Sequence, residues 1–256
     1  MAAVPVAPPP SAPEAAPLSQ GARIINTFIA PSKTFTDIRR SASWWLPFVL
    51  FAIVVTAFNF VVDKKIGFRA VTETQIKMSP RQERQLDQLS PADREKQVAI
   101  RAIGTKYFSL FGGVAVFVLV VQLVVAALYL ATFKFALNAK LSYKAALAVV
   151  IYAGFPEVLR FLLAIVTIYS GSAPDTFNIQ NPVMTNPGYL LNPVDSGAAI
   201  YGLASSLDIF RIWSTVLTGI GLSCVSGVKR STSLAVAFGW FIFFVLLLTG
   251  IGAAAS

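Results

Sequence analysis

Four charged residues lie in stretches that are otherwise apolar enough to cross a bilayer: Glu157 and Arg160 in one, Asp208 and Arg211 in another. The members of each pair are three residues apart, so on a helix they share one face. A lone charge at the bilayer centre costs about 2.5–3.5 kcal/mol on insertion scales, so all four should face a bundle interior and be paired. In antiparallel helices, depth matches Glu157 with Arg211 and Arg160 with Asp208. Such a quartet is neutral without a ligand, which suits a structural clamp between the two helices. A water-filled site or proton path is the functional alternative. Pro156 precedes Glu157; it should kink its helix and leave the Tyr152 carbonyl as a further acceptor.

Most other site chemistry is excluded. The chain has no His and one cysteine, Cys224. Ser-His-Asp triads, Cys-His dyads, His-based metal sites and an intramolecular disulfide are therefore impossible. Nothing beside Cys224 would activate a thiol. Gly112-Gly113 and Gly250-Ile251-Gly252 lack a following phosphate-loop pattern. A paired-Asp membrane protease would need two facing acids free of Arg. The expectation is a chain that is not an enzyme, with no catalytic, metal or cofactor-binding residue and no cofactor.

The elements that must position the quartet follow from composition. Of 256 residues, 55% are hydrophobic and 13% charged, and the mean hydropathy is +0.67. A soluble enzyme is excluded. Lys and Arg total 21 against 12 acids, a net charge of +9. In a membrane protein that surplus records topology or contact with anionic head groups, not nucleic-acid binding.

The predicted fold is all-α and polytopic. A bilayer core needs about 20 apolar residues per helix, and five stretches qualify, at about 44–62, 107–137, 145–169, 198–225 and 232–251. The tail 1–21 is rich in Ala and Pro, with six of each in residues 1–20, and reads as disordered. The membrane domain is 22–256. Within 22–43, Ile24, Phe28 and Ile29 repeat at helical spacing. Pro31 interrupts, and Ser32 or Thr34 can cap a second turn carrying Phe35 and Ile38. This amphipathic segment, with Arg39, Arg40 and the pair Trp44-Trp45 after it, should lie in the interface or pack beneath the spans. Residues 63–106 hold ten basic and six acidic residues, with Ser79-Pro80 and Ser90-Pro91 at two helix starts. They form a small helical, water-facing loop. Residues 170–197 have no Lys or Arg and three Asn-Pro steps, an irregular loop.

Short-loop charge sets the expected orientation. Lys140, Lys144, Lys229 and Arg230 mark the second and fourth loops as cytoplasmic, while the loop between them has no positive charge. The N-terminus is then inside the plasma (inner) membrane and the C-terminus outside. The loop 63–106 opposes this by raw count, but a loop that folds into its own helices is a weaker signal. Small residues four apart, Ser214 with Thr218, Thr215 with Gly219 and Ala235 with Gly239, fit internal helix packing, with homodimerisation the alternative.

Phe28-Ile29-Ala30-Pro31-Ser32-Lys33-Thr34-Phe35-Thr36-Asp37-Ile38, followed by Trp44-Trp45-Leu46-Pro47-Phe48, resembles the opening of prokaryotic Yip1-domain membrane proteins. Ala153-Gly154-Phe155-Pro156 is similar to the family's third-span pattern. Asn186-Pro187, then Leu207-Asp208-Ile209-Phe210-Arg211-Ile212-Trp213 with Gly219 and Gly221, looks like its fourth-span signature. The order of these motifs over residues 22–252 carries the resemblance. It implies five spans with a cytoplasmic N-terminus. Eukaryotic members bind Rab-class small GTPases; this chain lacks their Asp-Leu-Tyr-Gly-Pro motif, so that partner does not carry over. The expected function is a non-enzymatic scaffold or partner-binding protein. Its partners would be the lipid bilayer with its anionic head groups and an unidentified membrane or cytoplasmic protein. The alternative is a component of a small-solute, ion or proton transporter or channel using the quartet.

Overall fold

A computed structural model describes residues 16–255. All regular structure among these is helical. Most of the tail expected at 1–21 lies outside the described residues. Helix α1 (Gln20–Ile29) begins where Ser19 accepts a bond from the Ala22 amide at 3.1 Å. Helix α2 (Pro31–Ile38) follows after a single residue, with Pro31 at the first helical position. Neither Ser32 nor Thr34 caps it; the Thr34 hydroxyl instead donates to the Arg23 carbonyl at 2.8 Å.

The first long helix, α3 (Trp45–Lys65), leads into the loop helices α4 (Phe68–Lys77), α5 (Pro80–Asp87) and α6 (Pro91–Leu110). Ser90 caps α6 through the Asp93 amide, while Ser79 makes no such bond to α5. Ile76, Leu86 and Val98 give the loop helices a core of their own. Arg69 bridges Glu73 at 3.0 Å and Glu95 at 2.6 Å, and Lys106 reaches Asp63 at 2.9 Å. The Arg69 guanidinium holds the Glu95 carboxyl below its ordinary range. The exposed Arg69 pairs fix geometry more than they add stability.

The remaining helices are α7 (Gly113–Ala131), extended by a π turn (Thr132–Ala136), α8 (Tyr143–Ala153), α9 (Pro156–Tyr169), α10 (Gly197–Ser206), α11 (Ile209–Ser226) and α12 (Arg230–Ala255). Five segments are long and apolar enough to cross a membrane: Trp45–Lys65, Gly113–Ala136, Tyr143–Tyr169, Ile209–Ser226 and Arg230–Ala254. Five spans are as expected, but two start later than the apolar runs do. Gly112 takes a left-handed φ of 83° and separates α6 from α7, so residues 107–110 belong to the loop helices. The run from 198 is likewise split, because Asp208 is extended and starts a new helix. Hydropathy averages over such a break; only the backbone shows it.

Helix α8 is buried along Ala145–Ala153 and forms the bundle's centre with Phe35, Ala126, Tyr129, Leu217 and Leu222. Gly221 allows the close approach of α11 there. A Cβ added to it would lie 2.6 Å from Val149 Cγ1 and 2.9 Å from the Phe35 ring. On α12, by contrast, Phe243, Leu246 and Leu248 are exposed. Apolar surface on the outside and tight packing within is the pattern of a bundle whose solvent is lipid.

Candidate functional site

The four charges of the spans do not form one quartet. Pro156 ends α8 and starts α9 as expected, and the break is tightened by 3₁₀-type bonds: the Phe155 amide donates to the Tyr152 carbonyl at 3.1 Å. That carbonyl is therefore not left open. One turn on, Arg160 Nε donates to Glu157 Oε2 at 2.7 Å, with side chains 12% and 22% exposed. The pair closes within α9, and Arg160 also lies over the Phe161 ring at 5.3 Å.

Asp208 meets neither Arg160 nor Arg211. Only 1% exposed, it caps α11 by accepting from the Phe210 amide at 2.9 Å, and its other oxygen accepts from Thr185 Oγ1 and from Asn186 Nδ2 at 3.3 Å. Asn186 exchanges amide bonds with Asn181 at 2.7 and 3.2 Å, and Asn178 donates to the Tyr201 hydroxyl at 2.7 Å. The Asn-Pro loop is thus a hydrogen-bonded plug seated on α10 and α11. The expected cross pairs Glu157–Arg211 and Arg160–Asp208 fail for a local reason. An acid three residues away, or a helix end with unbonded amides, satisfies a charge at lower entropic cost than a neighbouring helix does. Arg211 stays exposed, and among the described residues its guanidinium has no hydrogen bond or ion pair.

A second charged centre was hidden in the amphipathic segment. Arg23, 3% exposed, donates from Nε to Asp37 Oδ2 at 2.7 Å and from Nη1 to the Ser41 carbonyl at 2.8 Å. Thr27 and Thr34 both donate to the Arg23 carbonyl, and Tyr152 OH reaches Gln20 Oε1 at 2.8 Å. Helices α1 and α2 therefore close on their polar residues, locked onto α8 and α11. Phe35 is fully buried, and Ile24 is partly buried against the core. Phe28 packs on Phe155 and Trp213 at ring distances of 5.7 and 5.5 Å. Ile29 and Ile25 point outward, 74% and 60% exposed. Trp44 packs against Phe48, and Trp45 is exposed. The hairpin packs against α8 and α11 and leaves Ile25 and Ile29 exposed along one apolar edge. An Arg–Asp spacing of fourteen across a proline turn is the only trace of this pair in the sequence.

Around that hairpin one end of the bundle is strongly basic. Lys33, Arg39, Lys140, Lys144, Lys229 and Arg230 are all exposed. Arg39 and Lys140 line one cavity of about 370 Å³ together with Val225, and Arg230 donates to Ser32 Oγ at 3.0 Å. These contacts bring the N-terminal segment and the second and fourth loops to the same end. Asp37, the one acid there among the described residues, is consumed by Arg23.

A family model for the Yip1 domain matches residues 25–251. The chain belongs to the Yip1 family. Neither curated proteins nor solved structures yielded a match. This Yip1-family chain is an integral membrane protein whose helices contact lipid. The match begins inside α1 and ends inside α12, so Asp37 lies within it and Arg23 just before it.

Proposed function

We propose that this Yip1-family protein is a non-enzymatic scaffold that binds a protein partner at its basic end. The supporting observation is that the acids of its membrane region hold structure: Glu157 is closed by Arg160 and Asp208 caps α11. Meanwhile Lys140, Lys144, Lys229 and Arg230 are exposed on the second and fourth loops, with no acid paired to them among the described residues. A basic rim flanked by exposed Ile25 and Ile29 suits an acidic partner segment held against the membrane surface. The intact protein should be purified in mild detergent beside a Lys140→Glu, Lys144→Glu, Lys229→Glu variant. The expected result is a stoichiometric partner kept by the wild type and lost from an equally stable variant. A protein that purifies alone, and that dissipates an ion or proton gradient in vesicles, overturns this in favour of transport.

The same basic end supports a cytoplasmic N-terminus in the plasma (inner) membrane. The opposing charges of 63–106 belong to a folded element with its own core and ion pairs, which makes them a weaker topological signal than the short basic loops. A reporter active only outside the membrane should work when fused within 175–195 or after Ser256, and be silent near Lys140 or Lys229. The reverse pattern would invert the protein.

A further inference from the structure

Arg211 has no hydrogen bond or ion pair among the described residues, and it lines a large cleft. That cleft, about 760 Å³, runs between α7, α10, α11 and α12 and opens under α4 and α5. Its two ends differ in chemistry. Near the loop helices it is lined by Gln75, Gln82, Asn181 and Tyr201, all able to donate hydrogen bonds. Deeper, the lining is Tyr129, Trp240, Phe244 and Val245, and Trp240 Nε1 donates to Thr132 Oγ1 at 3.1 Å to close the floor. From Trp240 to Gly252 the cleft follows α12 for about 18 Å at 1.5 Å per residue. It is an open groove rather than an enclosed cavity.

No acidic residue lines the cleft among the described residues. An unpaired guanidinium at the end of a membrane span demands an anion, and the anion a bilayer supplies at that depth is a lipid phosphate. We propose that this cleft binds one anionic phospholipid. Its phosphate sits on Arg211, its head-group hydroxyls meet Tyr201 and Asn181, and an acyl chain lies along α12 to Trp240. A zwitterionic head group fits less well, because its ammonium would find no carboxylate there. The proposal is independent of the protein partner at the opposite end.

Native mass spectrometry of the detergent-solubilised protein tests this, with phosphatidylglycerol or phosphatidylcholine added. The wild type should retain one phosphatidylglycerol, preferred over phosphatidylcholine by at least about ten-fold. Arg211→Gln should lose that preference. Arg211→Lys should keep part of it, since an ammonium retains the charge but not the bidentate fork. Val245→Trp should lose the lipid by filling the apolar end while leaving Arg211 intact. Millimolar inorganic phosphate should not displace the bound lipid; displacement would mean a site for free phosphate and overturn the proposal. Equal retention of the two lipids, or a preference unchanged in Arg211→Gln, would also overturn it. Should a variant fail to fold, the two-lipid comparison on the wild type decides the matter alone.

Discussion

Asp37→Ala should be among the most damaging single substitutions in the protein, lowering its stability by about 3–5 kcal/mol. The figure follows from burial. Arg23 and Asp37 are 3% and 6% exposed, so removing the carboxylate strands a guanidinium in the joint between α1, α2 and the bundle. The Ser41 carbonyl still accepts from Nη1, but a neutral acceptor does not replace a counter-charge. Asp37→Asn should be nearly as damaging, since it keeps shape and loses charge. The double variant Arg23→Met with Asp37→Leu should recover most of the loss, because well-packed apolar side chains often match a buried ion pair in stability. Denaturation in mild detergent would read all three. A loss from Asp37→Ala of only about 0–1 kcal/mol, the range of surface pairs, would show that the lock holds nothing.

How much of this was legible in the sequence depends on the range of each signal. Five apolar runs announced five spans, because length and hydropathy are additive along the chain. The capping of α6 by Ser90 was readable for the same local reason. The pairing of charges was not. Depth matching placed Glu157 with Arg211 correctly in chemistry and wrongly in space, since it took 198–225 as one helix. In the structure Asp208 interrupts that run, and the charges around the interruption re-sort: Asp208 turns to amides and Arg211 to a cleft. Nor did amphipathicity tell which face of α1 turns inward. Arg23 sits beside the apolar repeat of α1, and only the return of the chain through α2 brings Asp37 to it.

The pair within α9 gives the sharpest contrast between those two geometries. Glu157→Gln should cost about 3 kcal/mol, at the low end for a buried pair, since Glu157 keeps 22% of its side-chain surface. Exchanging the pair in place, Glu157→Arg with Arg160→Glu, should restore much of that. Restoration stays incomplete because Glu157 lies in the first turn of α9, where a positive charge opposes the helix dipole by about 0.3–1 kcal/mol. The cross-helix exchange, Glu157→Arg with Arg211→Glu, should fare worse than either single substitution. It sets two guanidinium groups three residues apart on one helix face and gives the new acid at 211 a place beside the buried Asp208 carboxylate. Thermal unfolding of the three variants in one detergent ranks them directly. Rescue by the cross-helix exchange, with none from the exchange in place, would mean that the membrane-embedded protein pairs α9 with α11. In that case Arg211 would be spoken for and the cleft beside it would have no charge to offer a phosphate.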